Sequence, residues 1–357
     1  MKYLLKTALC LLLCALLSLP ALAEEGEELT CGDYTYVLLE DGGARITGYD
    51  GEDAELTVPD ELDGHAVREI GDSAFSLCES LTTVTLPDGL TTIGDAAFYI
   101  CGSLTTVTLP DSLTSIGDFA FDSCSSLTTV TLPDSLTSIG DFAFYNCNSL
   151  TAVALPDSLT SIGENPFCGC DLLAKIDVSP DNPVFAQIDG VLYEKATKTL
   201  ISYPAGKESD SFAVPDGILT IGDFAFYDCS SLTTVTLPDS LTTIGDFAFD
   251  SCSSLTTVTL PDSLTSIGDS AFDSCSSLTT VTLPDSLTSI GFFAFYGCDA
   301  LTTVTLPDSL TSIGVGAFSN CPSDLTLTVP RDSYACQYAI DNGLAYTYPD
   351  ANDWLNA

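Results

Sequence analysis

The tripeptide Ile-Gly-Asp, with a cysteine eight residues after its isoleucine, returns along this chain with almost no drift. Ile70, Ile93, Ile116, Ile139 and Ile162 follow one another at a constant step of 23, and so do Ile221, Ile244, Ile267, Ile290 and Ile313. Cys78, Cys101, Cys124, Cys147 and Cys170 keep the same step, as do Cys229, Cys252, Cys275, Cys298 and Cys321. A fixed period of this size requires a stacked repeat architecture, in which each unit contacts chiefly its two neighbours. A stack presents a long ordered surface, so binding is weighed ahead of catalysis.

The unit at 116–138 reads IGDFAFDSCSSLTTVTLPDSLTS. In Leu127-Thr128-Thr129-Val130-Thr131-Leu132 the period of two turns Val130 and Leu132 inward and Thr129 and Thr131 outward. Pro133-Asp134-Ser135 is turn chemistry, and Leu136 to Ile139 forms a second short extended piece. Gly140-Asp141 is then expected to open a short helical turn, with Asp141 as N-cap of Phe142-Ala143-Phe144. Ala143, Phe144 and Cys147 should face the core. One unit cannot fold alone, because burying its few large apolar side chains does not offset the entropy of ordering its whole backbone. Stacking covers every core face, and ten units rising ~4.8 Å each give a rod of roughly 50 Å.

The pattern IGDxAFxxCxxLTTVTLPDSLTS resembles the BspA-like, treponemal-type leucine-rich repeats of exported bacterial proteins, over nearly all of Ile70 to Thr328. Ile46-Thr47-Gly48-Tyr49 and Asp63-Gly64-His65-Ala66-Val67 resemble that family's opening repeat. The interruption after Cys170, with Asp181-Asn182-Pro183, Ile188 to Tyr193 and Leu200 to Pro204, resembles a recurrent family element. The resemblance implies an α/β repeat solenoid: a parallel β-sheet on one face, short helical turns on the other, and about ten such units plus a β-hairpin insertion. It also implies secreted or surface roles, including attachment to matrix proteins or other cells. The expected organisation is a signal at 1–23, an opening repeat at 24–69 and a first repeat block at 70–170. An insertion at 171–215, a second block at 216–328 and a C-terminal cap and tail at 329–357 complete it.

Lys2 and Lys6 precede an apolar run from Leu9 to Leu19, and Ala21-Leu22-Ala23 has the small-x-small pattern of a cleavage site. A Sec-type secretory signal cut between Ala23 and Glu24 is expected. The run is short for a spanning helix, and no later run reaches spanning length. The expected product is therefore exported, either secreted or associated with the cell surface, without membrane insertion after cleavage. The whole chain carries a net charge of -41, and losing the two signal lysines takes it to -43. Nucleic acid and anionic membranes need a basic surface and are excluded as partners. Proteins with basic patches and divalent cations fit the charge better.

The insertion lengthens one unit, which runs from Ile162 to Ile221. Gly190 to Glu194 and Thr199 to Tyr203 read as two strands, either a hairpin that extends the sheet or a recognition loop. Thirteen of the 15 cysteines lie beyond the signal, ten of them at one repeat position, where a buried column of unpaired thiols is expected. Cys31, Cys168 and Cys336 lie outside that column. Catalysis has little to stand on: the one histidine, His65, lies in a turn, and serines and aspartates recur as turn residues. No enzyme activity and no cofactor are expected.

Aspartates form two columns. Asp88, Asp111, Asp134, Asp157, Asp216, Asp239, Asp262, Asp285 and Asp308 follow the turn proline or its equivalent. Asp72, Asp95, Asp118, Asp141, Asp223, Asp246 and Asp269 follow the glycine. Turn and capping roles account for both. Loose calcium association would ease their mutual repulsion, but a specific site needs several oxygens converging on one point. An aromatic column is also expected, with Phe119, Phe142, Phe224, Phe247 and Phe292 after the glycine-aspartate step and Tyr99, Tyr145, Tyr227 and Tyr296 nearby.

Paired threonine rows are the sharpest surface feature: Thr83 and Thr85, Thr106 and Thr108, Thr129 and Thr131, then Thr234 and Thr236, Thr257 and Thr259, Thr280 and Thr282, Thr303 and Thr305. In the family this strand lines the concave docking face. Threonine is also simply a good solvent-facing strand residue. The reading favoured is a non-enzymatic protein that engages an extracellular protein or glycan through many weak, equivalent contacts, as in adhesion. The alternatives are an inert structural protein and, through the Thr-x-Thr rows, an ice-binding one.

Overall fold

The computed structural model describes residues 26–350, so the expected signal and its cleavage point lie outside the described residues. The chain winds into a β-solenoid of about 13 turns. Each regular unit contributes two short strands and one long irregular turn.

The first strand is the Thr-Val-Thr segment, with Val inward and both threonines outward. These strands pair in parallel and in register, Val235 beside Val258, Val281 and Val304. The proline-aspartate turn leads to the second strand, Ser-Ile or Thr-Ile, again laddered in parallel from Thr92–Ile93 through Ser161–Ile162. Leu, Val and Ile from both strands fill the interior, where Leu127, Leu136, Ile139 and their counterparts are buried.

The helical turns expected on the far side do not form. Among the described residues there is one α-helix, Tyr334–Asp341, in the C-terminal cap, where the Ser333 hydroxyl accepts from Cys336 N. Between the glycine-aspartate step and the cysteine, alternate N–H groups point along the stack. Ala96 N, Phe98 N and Ile100 N donate to Asp118, Ala120 and Asp122 carbonyls of the next unit at 2.7–2.8 Å. A helix would turn those groups onto its own chain. Two positions of every regular turn take left-handed φ instead, Phe119 at 55° and Ser123 at 59° in one unit.

Successive glycine turns pack so closely that a side chain does not fit. A Cβ on Gly140 would lie 2.3 Å from Asp118 Oδ1 and 2.5 Å from Asp118 N. The glycine of Ile-Gly-Asp is thus required by its neighbour rather than by its own backbone angles.

The opening segment is an antiparallel meander, Leu29–Cys31, Tyr34–Leu38 and Ala44–Tyr49, whose last strand turns parallel to His65–Ile70. The insertion holds three antiparallel strands, Phe185–Ile188, Val191–Glu194 and Thr199–Ser202. The last two match the expected pair, and the first was missed. Val191 and Tyr193 enter the apolar cluster of the later units, while Leu192 enters that of the earlier ones. The strand is buried on both faces and forms the seam between two stacks.

Asn182 ties the insertion down. Its Nδ2 donates to Pro156 O and Leu159 O, and its Oδ1 accepts from Val184 N and Phe185 N. Three lysines of the insertion act locally: Lys175 pairs with Asp177, Lys195 donates to Asn182 O, and Lys207 binds Asp189.

Leu77 holds φ at 63° while 60% exposed, at the position where other units carry Gly169 and Gly297. Left-handed backbone costs an L residue roughly 1–2 kcal/mol, partly offset by the greater unfolded freedom of glycine. Leu77→Gly should therefore stabilise the N-terminal stack by about 1 kcal/mol, read as a higher urea midpoint.

Candidate functional site

The threonine face is built by alternation. With Val235, Val258, Val281 and Val304 buried, the flanking threonines must point to solvent. Thr234, Thr257, Thr280 and Thr303 form one exposed row and Thr236, Thr259, Thr282 and Thr305 the other, across four strands in unbroken register. Thr326–Thr328 extends both rows, a continuation hidden in the sequence because Leu327 replaces the central valine.

The earlier block is less regular. Thr83–Thr85 and Thr106–Thr108 pair, with Thr83 and Thr85 half-buried. Thr129 reaches Thr106 by a single bridge, and Thr131 belongs to no ladder. Ala152–Leu155 instead pairs with Lys175–Val178 at the insertion. The structure therefore brings the later eight threonines together and leaves the earlier six in a broken patch.

Hydroxyl chemistry separates these rows from the other threonines. Thr242, Thr265, Thr288 and Thr311 each donate to a carbonyl of the preceding unit at 3.0–3.1 Å. Ser240, Ser263, Ser286 and Ser309 do the same at 2.5–2.7 Å. These hydroxyls hold the stack. Those of Thr234 to Thr305 in the two outward rows make no intramolecular hydrogen bond among the described residues and remain open to a ligand.

The aspartates after the glycine form a carboxylate ladder. Asp95 N donates to Asp72 Oδ1 at 2.9 Å, Asp118 N to Asp95, Asp141 N to Asp118 and Glu164 N to Asp141 at 2.7–2.8 Å. Asp141 is thus not the N-cap of its own turn; it caps the amide of the next unit. Asp246, Asp269 and Phe292 amides continue the pattern on Asp223, Asp246 and Asp269. Burial raises the carboxyls of Asp118 and Asp246 above the ordinary range. An open groove of about 500 Å³ follows the earlier ladder, lined by Asp72 to Asp141 and the hydroxyls of Ser115 and Ser138. Among the described residues no group of three or more His, Cys, Asp or Glu side chains is placed to hold a metal ion.

Phe292 occupies the aspartate position of its unit, not the aromatic column as the sequence suggested; Phe293, with φ at 56°, is the counterpart of Phe119. The column itself is half-buried: Phe119 stacks on Phe142 at 5.4 Å and Phe224 on Phe247 at 4.7 Å. Between them Asn165 takes the aromatic position, and Phe142 and Phe224 close over it edge to face at 5.0 Å.

The cysteine column is buried from Cys101 through Cys298, with Cys78 and Cys321 half-buried at its ends, and no cysteine is disulfide-bonded among the described residues. Each thiol from Cys101 donates to a carbonyl of the preceding unit, as Cys124 Sγ does to Phe98 O at 3.2 Å and Cys252 Sγ to Phe226 O at 3.0 Å. Burial pushes Cys321 up to about 11 and raises Cys147, Cys229 and Cys275 well above the ordinary thiol range. Outside the column, Cys31 is half-buried and Cys168 and Cys336 are buried.

A family model described as the BspA type leucine-rich repeat region matches residues 62–186 and 205–325. A leucine-rich cell surface protein from Faecalibacterium prausnitzii is 32% identical, with TM-score 0.61, covering 89% of this chain and 98% of that one. A leucine-rich repeat protein from Eubacterium ventriosum is 28% identical, with TM-score 0.57, covering 83% and 95%. The pneumococcal vaccine antigen PcpA shares the fold at 22% identity and TM-score 0.69, covering 91% and 99%. No curated protein matches the sequence.

Two outcomes test this description. With a thiol reagent, folded protein of residues 24–357 should label at the half-buried Cys31, Cys78 and Cys321, and the other described cysteines should react only after unfolding. Asp122 is buried, and burial raises it to about 6, partly opposed by the Ser123 hydroxyl. The folded state therefore holds its proton more tightly than the unfolded chain, and stability falls as pH rises from about 4 through 6. Asp122→Asn should melt like the parent below pH ~4 and at a higher temperature than the parent at pH ~8.

Proposed function

The chain belongs to the BspA-type leucine-rich repeat proteins, and on that footing we propose that it is a non-enzymatic binding protein acting at or beyond the cell surface. Its solenoid engages an extracellular protein or glycan through the threonine rows, in the manner of an adhesin. The observation that carries this reading is the unbroken ladder from Thr234–Thr236 to Thr303–Thr305, with every outward threonine exposed.

Each strand there offers the same pair of hydroxyls and methyls at ~4.8 Å intervals. The rows offer repeated, equivalent hydroxyl and methyl contacts, each weak on its own. A ligand that repeats, such as a fibrous protein or a polysaccharide, engages several strands at once and gains by effective concentration. Cell-surface residence accords with the description of the Faecalibacterium relative. Among the described residues no helix is long and apolar enough to cross a membrane. The export signal at residues 1–23 supplies the route outward.

The test is an array of matrix proteins and glycans probed with residues 24–357. Binding should fall at least tenfold when Thr257 and Thr259 are replaced by tyrosine, and little when Thr83 and Thr85 are. The absence of any binder, or affinity indifferent to tyrosines at Thr257 and Thr259, would remove the threonine face from consideration.

A further inference from the structure

The carboxylate ladder stops before the stack does. Eight units place an acid after the glycine, from Asp72 to Asp269 with Glu164 among them, but the last two place Phe292 and Val315 there. Phe292 is 51% exposed, Val315 68% and the adjoining Phe293 43%. The three are contiguous: Phe293 N donates to Val315 O at 3.2 Å, and the Phe293 ring lies over Gly316, where a Cβ would sit 2.5 Å from ring carbon Cε1.

Stacking does not call for these residues. Phe292 N still donates to Asp269 Oδ1, and an aspartate at 292 would offer the same service to the amide of Val315. The fold would gain from an acid at this place, and solvent penalises the apolar side chains that stand there instead. A contiguous exposed apolar patch of this kind marks an interaction surface.

Charge selects the occupant. Asp223, Asp246 and Asp269 lead directly into the patch, and no Lys or Arg lies between Lys207 and Arg331 in a chain of net charge -41. A second copy would bring like carboxylates together, whereas a cationic partner gains at every rung. We propose that Phe292, Phe293 and Val315 form the apolar anchor point of a docking site for a basic polypeptide segment, whose positive side chains lie along Asp223, Asp246 and Asp269. From Asp223 to Phe292 is three steps of the stack, about 15 Å, the reach of four or five extended residues. The site is separate from the threonine face, and either can fail without the other.

The experiment measures fluorescence anisotropy of labelled twelve-residue peptides of alternating Lys and Leu, Lys and Ser, or Glu and Leu, at physiological salt. The Lys-Leu peptide should bind, the Lys-Ser peptide about tenfold more weakly, and the Glu-Leu peptide not at all. The double variant Phe292→Asp with Val315→Asp continues the ladder of eight other units and should retain the parent's circular dichroism. It should lose at least tenfold in Lys-Leu affinity although it adds two negative charges. Asp246→Asn with Asp269→Asn should also weaken binding. Lack of Lys-Leu binding would overturn the proposal, as would equal or tighter binding by the double aspartate variant, which simple charge attraction requires. Sedimentation showing a dimer that the variant lacks would assign the patch to a second copy. A rise of more than tenfold on deleting residues 351–357 would assign it to the chain's own tail.

Discussion

Backbone hydrogen bonding between consecutive units is the constraint on which every other feature of this molecule depends. On the two strand sides, N–H groups donate to a neighbouring unit, backward as Gly94 N does to Ile70 O at 2.8 Å and forward as Val214 N does to Thr236 O at 2.9 Å. On the aromatic side the inter-unit amides of the long turn donate forward, as Phe98 N does to Ala120 O at 2.7 Å. Buried amides must find partners, and here the partners belong to neighbours one full repeat along the chain. An insertion of one residue within a unit would misalign all three sides at once. The strict period, the glycine at each tight corner and the left-handed residues of the long turn follow from that requirement. The inner phenylalanine column inherits its spacing too, with Phe75, Phe98, Phe121 and Phe144 stacked nearly parallel at 5.1–5.3 Å.

The insertion shows what interruption entails. At the seam Asn165 and Cys168 stand where the two flanking units carry Phe and Tyr, and those aromatics lean across: Phe142 to Phe224, Tyr145 to Tyr227 at 6.3 Å. Asn165 Nδ2 reaches Phe224 O at 2.8 Å and replaces a ladder bond. The closure is incomplete, since among the described residues the buried phenol hydroxyls of Tyr193 and Tyr203 have no hydrogen-bond partner. Such groups carry an uncompensated desolvation cost.

Much of this was legible from residue spacing. Inward valines, outward threonines, the buried thiol position and two of the three insertion strands follow from period and side-chain chemistry. The absence of helical turns was not recoverable that way: the Phe-Ala-Phe segment has helical composition, and only the neighbouring unit's carbonyls draw its amides outward. For the same reason Asp141, a good capping residue by type, caps a different unit. Counting aromatics placed Phe292 in the wrong column because two phenylalanines adjoin. The clearest limit lies in the segments 116–138 and 244–266, which are identical in sequence from end to end. Thr257–Thr259 is laddered on both sides, whereas Thr129–Thr131 has one bridge. Local sequence cannot distinguish them; the strand beyond, drawn toward Lys175–Val178, does.

That pair of identical segments also bears on how such a molecule changes over generations. Each joint between turns is built from interchangeable halves, so exchange between misaligned gene copies can remove or add a whole turn and still leave matched surfaces on either side. The molecule lengthens or shortens in fixed steps while its interior stays intact, and with each step the outward threonine face gains or loses one strand.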